Sequence, residues 1–447
     1  MSTVSAVATP GLNARIFRAA GTVTIAGIAV KLVAMGKEVA VAGVFGRSDA
    51  MDAFLIALLI PGLLVNIVSE SMNQALIPTF VRMRACEGQE SAARLLSNAA
   101  TLSSALLVAI SVAMAAGAPF CLPLTASNYP PEKLHLALQL FYVVLPSVVF
   151  TGIASNCTAV LNTLDRYAVP AVAPIITPLL VAASALVLGA QIGIWAIAAA
   201  TVAGAVLHAF WMAWLLYAHG YQFRFWWFGA NRETREVAGQ YGRVLTSCIV
   251  ASGGLFVDQS MAASLSAGSV SALSYANRFV SVVLTLLGGA IASALTPAFS
   301  ELVAQNDWRK CRRTVYTWLR YAALVSVPIA AALICGAHWL IRVSFQHGAF
   351  HAQDTRAVTP VLIMYAIQIP FFVCSRVFYR FLLAFRRADV ILWCGIVNLA
   401  LDIVLNLTLM RVMGVAGIAL ATSLWTISTF AFLWWWTHRL MPQECEQ

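Results

Sequence analysis

The chain has 447 residues, of which 61% are hydrophobic and only 10% charged, with a mean hydropathy of +0.82 and a formal net charge of +10. That composition excludes a water-soluble globular domain, whose surface needs far more polar residues. The basic balance is not a nucleic-acid footprint either, because no basic stripe interleaved with aromatic residues occurs.

A bilayer core about 30 Å thick takes roughly 20 apolar residues per helix. Apolar stretches of that length predict twelve spans, near 19–44, 52–81, 97–120, 134–163, 167–190, 192–218, 244–268, 279–303, 315–341, 357–384, 390–410 and 414–437. Open strands leave backbone groups unpaired in lipid, and the short alternating segments of a barrel do not occur. The predicted fold class is therefore an all-α polytopic membrane protein. The polar residues before position 19 contain no signal-peptide core or cleavage site, so the first span is expected to stay attached.

Spans 1 and 2 carry charges that lipid would not tolerate: Lys31, Lys37 and Glu38, then Asp52 and Glu70. A charge at membrane depth normally faces a protein interior or a wet cavity. Cations fixed in such a cavity suit a phosphate or pyrophosphate headgroup, with the acids as their partners or as further substrate contacts. Asp52, at the start of span 2, reads as a helix cap or ion pair or as a substrate contact. Glu70, mid-helix, reads as a gate partner or proton site. The nine cysteines are scattered without a C-x-x-C pair, so no disulfide framework is expected.

The longest polar connector, 219–243, separates an N-terminal half (1–218) from a C-terminal half (244–447). Its Trp226 and Trp227 beside Arg224 predict an interfacial helix on the cytoplasmic surface. In the second half, Asp258 falls inside span 7, and Arg278 is expected to open span 8 near the outer surface. His347 and His351 read as surface residues of an outer loop. Arg376 and Arg380 are an i,i+4 pair in span 10, on one helix face. Asn398, Asp402 and Asn406 form one stripe of span 11, and Thr422 lies in the first turns of span 12. Asp258, Asn398, Asp402 and Thr422 would make a hard-oxygen site for Na⁺ or a protonatable pair; the alternative is polar glue between helices.

The halves repeat each other at a spacing of roughly 220 residues. Gln74-Ala75-Leu76-Ile77-Pro78-Thr79-Phe80 matches Ser293-Ala294-Leu295-Thr296-Pro297-Ala298-Phe299, and Gly193-x-x-x-Ile197-Ala198-x-Ala200-Thr201 matches Gly414-x-x-x-Ile418-Ala419-x-Ala421-Thr422. Two six-helix lobes in parallel repeat around a central cavity follow, with the substrate site between them. Lys and Arg are in roughly threefold excess on the side of the N-terminus, which places both termini in the cytoplasm. No Walker, H-E-x-x-H or G-x-S-x-G motif occurs, so no enzyme is expected. Transport would run on an ion gradient, the membrane potential or the substrate gradient.

Several motifs resemble the MurJ/MviN family, within the superfamily that also holds MATE exporters and Wzx-type flippases. They are Gly46 with Asp52-Ala53-Phe54, Ile60-Pro61, Glu70, Gln74-Ala75 and Pro78, then Gly268-Ser269-x-Ser271-Ala272-Leu273-x-Tyr275-Ala276-x-Arg278. Gly348-Ala349-Phe350 with Asp354-Thr355, and the run from Gly414 to Ser423, complete the set. The resemblance implies a flippase for lipid-linked peptidoglycan precursor in the bacterial inner membrane, working by alternating access with a cationic cavity. It implies that Lys31, Lys37 and Arg278 meet the pyrophosphate, that Asp52 and Glu70 are the family's acids, and that Asp258, Asn398, Asp402 and Thr422 hold sodium. The chain departs from the family at Val65, where an arginine is usual, at Lys31 and Lys37, which replace arginines, and at Ser71-Met72. Members typically have fourteen spans against the twelve read here. Membrane lipids and cell-envelope synthesis proteins would be its partners. The competing readings are a Wzx-like polysaccharide flippase, a MATE-like cation or drug antiporter, and a non-transporting scaffold for envelope assembly.

Overall fold

The computed structural model describes residues 12–440 apart from 220–253 and the single positions 127, 165, 167, 306 and 386. Its described elements are helices: α1 (Leu12–Phe45), α2 (Asp49–Cys86), α3 (Gln89–Thr125), α4 (Pro131–Val144), α5 (Pro146–Thr163), α6 (Ala168–Val172), α7 (Ile176–Ile192) and α8 (Trp195–Ala218). The second half adds α9 (254–263), α10 (Ser269–Ala304), α11 (Trp308–Phe345), α12 (Ala352–Ala366), α13 (Gln368–Ala384), α14 (Ala388–Met413) and α15 (Val415–Leu440).

Each predicted span other than span 7 corresponds to one helix or one broken helix. Among the described residues, 9 segments are long and apolar enough to cross a membrane. α1 and α2 fall outside that set and carry Lys31, Lys37, Glu38, Asp49 and Asp52. At about 1.5 Å per residue their 34 and 38 residues still exceed a bilayer's thickness. Span 7 is described only from residue 254, and Arg224, Trp226 and Trp227 lie outside the described residues.

Local chemistry sets the helix ends. The Ser48 hydroxyl accepts from the Met51 amide, with Asp49 and Asp52 in the first turn complementing the helix dipole. Asp307 caps α11 by accepting from the Lys310 amide at 3.0 Å. Prolines interrupt two spans in matching places. Pro146 follows the break at Leu145 between α4 and α5, and Pro370 follows the break at Ile367 between α12 and α13. Left-handed glycines match as well: Gly46 with Gly268 and Gly193 with Gly414, each pair roughly 220 residues apart. The duplication is thus written in the turns as well as in the sequence.

In the N-terminal lobe α8 packs on α5 and α7, and α2 packs on α3, α4 and α5. In the C-terminal lobe α13 packs on α10, α11 and α15, and α14 on α15. The lobes meet chiefly where α1 and α2 touch α10 and α11. One large apolar core runs through both lobes and includes Val41, Phe54, Tyr275 and Phe345. A second cluster, with Phe80, Met83, Leu96, Leu161 and Leu216, belongs to the N-terminal lobe alone. It lies at the far end of α2, away from the 46–48 turn. Among the described residues the lobes thus share packing at one end, while at the other the N-terminal lobe keeps a cluster of its own, as in a V.

Candidate functional site

The joined end of the V is a polar seam. The turns 46–48, 126–130, 264–268 and 346–351 all lie at this end. Asp52, fully buried, accepts from the Gly268 amide at 2.7 Å and the Ser271 amide at 2.9 Å. An aspartate of one lobe thereby caps helix α10 of the other. In the opposite direction, Arg47 donates to the Gly268 carbonyl at 3.0 Å and pairs with Asp354 at 3.4 Å. The Tyr275 hydroxyl donates to the Gly46 carbonyl at 2.9 Å, the Ala349 amide to the Gly43 carbonyl at 2.7 Å, and the Asn128 amide to the Ser264 carbonyl at 2.6 Å. Tyr275 is held from behind by Phe345 and Phe350, at 5.2 and 5.9 Å between ring centroids.

Two glycines make this approach feasible. Gly46 and Gly348 have φ of +56° and +60°, a region costly for other residues. A Cβ on Gly46 would sit 2.5 Å from the Ala349 carbonyl oxygen, and one on Gly348 would overlap the Gly43 carbonyl. The overlap falls only on the joined arrangement, while strain of about 1–3 kcal/mol at the positive φ belongs to the turn itself. Gly348→Ala is therefore expected to slow translocation at least tenfold, since about 1.4 kcal/mol is worth a factor of ten, while its membrane abundance, read by immunoblot, stays normal.

One layer deeper lies a charge cluster. Glu38 is buried and accepts, through Oε1, from Lys37 Nζ at 2.7 Å and Arg278 Nε at 2.7 Å. Its Oε2 is buried without a hydrogen-bond partner among the described residues. Lys31, half-buried, lies within Coulombic reach of Arg278. Two cations thus pair with one acid and a third lies nearby, where α1 of one lobe faces α10 of the other. Arg278 does not open its span, as the sequence suggested. α10 begins at Ser269, so Arg278 sits about 14 Å inside it at 1.5 Å per residue. The family-like run Gly268–Ser271 is helix cap and first turn rather than loop, which is why hydropathy alone started the span too late.

The other predicted cavity residues separate. Asp52 is not beside Glu38; it serves the seam, the cap-or-ion-pair reading left open in the sequence. The Glu70 side chain lies outside the described residues. Arg376 stacks on Phe372 at 4.3 Å and lies against α10 at Gly288, about 15 Å further along that helix than Arg278. Arg380 follows one turn later, over Tyr379 at 5.9 Å. These arginines lie further from the seam than the Glu38 cluster and are not beside it.

The C-terminal lobe holds a third group. Asn406 Nδ2 donates to Asp258 Oδ1 at 2.8 Å and Asp402 Oδ1 at 3.2 Å, while the Thr422 hydroxyl donates to Asp258 Oδ2 at 2.9 Å. Tyr365, also buried, reaches Thr422. Asp402 Oδ2 and Asn406 Oδ1 are buried acceptors with no donor among the described residues. Gly254 leaves room beside Asp402, since a Cβ there would lie 3.6 Å from Oδ2. Free acceptor oxygens between two carboxylates suit a hard cation or a proton. Asn398 turns away, donating to Thr429 at 2.7 Å and to Cys394. His347 packs against α1 at Gly43 and His351 caps α12; among the described residues no group of three His, Cys, Asp or Glu could hold a metal ion.

Sequence reasoning missed Arg47, Lys133 and Tyr275 in the seam and left Asn406 out of the carboxylate group. The Asp49-x-x-Asp52 spacing, two acids on one turn, was the available signal that a buried cation must lie nearby.

The profile of the Lipid II flippase MurJ family matches residues 41–444. The chain is 25% identical over 445 residues to a probable lipid II flippase MurJ of Synechocystis sp., covering 94% of this chain and 81% of that one. It is 27% identical over 368 residues to the lipid II flippase MurJ of Burkholderia cenocepacia, covering 79% and 70%. Its fold is similar to a solved lipid II flippase MurJ in an inward closed conformation, with a TM-score of 0.81 at 22% identity over 93% of this chain and 87% of that one. An inward-facing MATE family multidrug resistance transporter follows at a TM-score of 0.77 and 13% identity, covering 93% of this chain and 94% of that one.

Proposed function

Because the chain belongs to the lipid II flippase MurJ family, we propose that it carries a polyprenyl-pyrophosphate-linked glycan of the lipid II type across the bacterial inner membrane. The observation that supports this reading is the pairing of Glu38 with Lys37 and Arg278, with Lys31 within Coulombic reach of Arg278, where the lobes meet. A diphosphate brings several anionic oxygens, and charge-assisted hydrogen bonds to them are the strong kind. An excess of cations over acids in the pocket is wrong for a cationic drug and right for that headgroup.

Alternating access follows from the V. In this reading, with the seam joined, access is toward the end rich in Arg309, Lys310, Arg312 and Arg313, the cytoplasmic side by the positive-inside rule. Both termini then lie in the cytoplasm. The headgroup enters there and competes with Glu38 for Lys37 and Arg278, while Arg376 and Arg380 line its approach. Parting of the seam and closing of the other end release it outside.

The Asp258, Asp402, Asn406 and Thr422 group resets the cycle by binding Na⁺ or a proton, whose charge offsets the paired carboxylates. Asp402→Asn removes that charge and places an amide in the acceptor set. In proteoliposomes the variant is expected to lose its response to imposed Na⁺ and proton gradients; a retained response would remove the group from the cycle. The substrate itself is tested by reconstituting the purified chain with defined lipid-linked glycans. Transfer of lipid II supports the reading, and transfer confined to other glycans overturns it.

A further inference from the structure

Lys133 opens α4, in the N-terminal lobe, and is the one lysine or arginine among the described residues that is fully buried, at 8% exposure. Its ammonium group donates to Asp49 Oδ1 at 2.6 Å and to Asp52 Oδ2 at 3.2 Å, and lies 4.0 Å from the centre of the Tyr129 ring. Every one of these contacts is within its own lobe. Asp52 Oδ2 is also the oxygen that takes the Gly268 amide of the other lobe.

We infer that Lys133 is a positioning residue that selects the closed seam, holding Asp52 as an ionised cap for α10. In the joined arrangement Asp52 is cut off from water, and Asp49 stands on the same helical turn. Asp49 is 62% exposed and meets water already, so the charge left without a partner ion when the ammonium is removed is that of Asp52, and a buried charge stripped of its partner is strongly destabilised. When the lobes part, water reaches Asp52 and supplies what the lysine supplied. Losing Lys133 therefore costs the closed arrangement much more than the open one. Tyr129 shields the ammonium from one side and favours the cation through its ring face.

The inference rests on the alternating-access reading but needs no lipid-linked substrate, so the two can fail separately. Hydrogen–deuterium exchange of the full chain in nanodiscs reads the Gly268 and Ser271 amides directly. Lys133→Met is expected to speed their exchange at least tenfold while amides of α7 and α14, far from the seam, stay unchanged. Lys133→Arg, which keeps the charge, should restore most of the protection. A double-mutant cycle with Asp52→Asn separates charge from packing. If Lys133 acts through the carboxylate, Asp52→Asn/Lys133→Met exchanges no faster at both amides than Asp52→Asn alone. Unchanged exchange in Lys133→Met, or additive effects in the cycle, would overturn the inference. Should Lys133→Met not accumulate, the double variant carries the test alone: accumulation with Asp52→Asn-like exchange supports the inference, and failure to accumulate or faster exchange overturns it.

Discussion

Arg278→Ala is expected to reduce lipid-linked substrate transfer at least a hundredfold while leaving the protein in the membrane. Charge-assisted hydrogen bonds are worth about 1.5–3 kcal/mol each, and a guanidinium can give a diphosphate two of them at once. The contact to Glu38 at 2.7 Å is what the headgroup displaces, so it does not add to the loss. Two bonds to the diphosphate, about 3–6 kcal/mol together, exceed the roughly 2.7 kcal/mol of a hundredfold change. The side chain is 44% exposed, so its removal leaves a hydrated gap rather than a collapsed core. Abundance should therefore hold, and transfer in proteoliposomes is the measurement that discriminates. Arg278→Lys should recover only part of the rate, because an ammonium offers a point charge where the guanidinium offers a fork. Transfer by Arg278→Ala at the wild-type rate would remove the cluster from the pathway.

The second large effect is expected at Asp52. Asp52→Ala deletes both acceptors of the α10 cap and leaves Lys133 with Asp49 as its only carboxylate contact. The joined arrangement then loses two bonds between lobes that the open one never had. Spin labels at Glu132 and Gln353, exposed positions in opposite lobes at the seam end, should show a longer distance distribution and a larger open fraction. Translocation should fall more than tenfold, since about 3 kcal/mol removed from one side of a two-state exchange stalls the cycle on the other. An unchanged distance distribution would mean that Arg47, Tyr275 and the backbone contacts hold the seam without it.

Much of this architecture was legible in the sequence. Span number, the two halves and the parallel repeat followed from hydropathy and from short matches such as Gly193 with Gly414, because lipid enforces helix length and apolar composition. The partners of Glu38 were only partly legible. Lys37 is its chain neighbour, but Arg278 is brought to it by the packing of α1 on α10. Span boundaries failed where polar residues begin a helix: Gly268-Ser269-x-Ser271 has low hydropathy, so span 8 was started at 279 rather than at Ser269. Lys133 was hidden for a related reason. A lysine beside Pro130 and Pro131 looks like a solvated loop residue, and only folding shows that Asp49 and Asp52 enclose it. Asn398 failed in the opposite sense. It shares a helical stripe with Asp402, but a small rotation of its amide toward Thr429 takes it out of the carboxylate group.

The meeting of Gly43, Gly46, Gly268 and Ala349 across the seam has a consequence for how the joint withstands mutational drift. Most of its hydrogen bonds pair a side chain of one lobe with a peptide group of the other, and the peptide half is the same whatever residue carries it. Damage at the glycines should therefore sort by volume, serine and alanine alike jamming the hinge at Gly348, while damage at Arg47, Asp52, Asn128 and Tyr275 should sort by polarity. A closure built this way can keep its geometry while residues that lend it only their peptide groups change, provided they stay small.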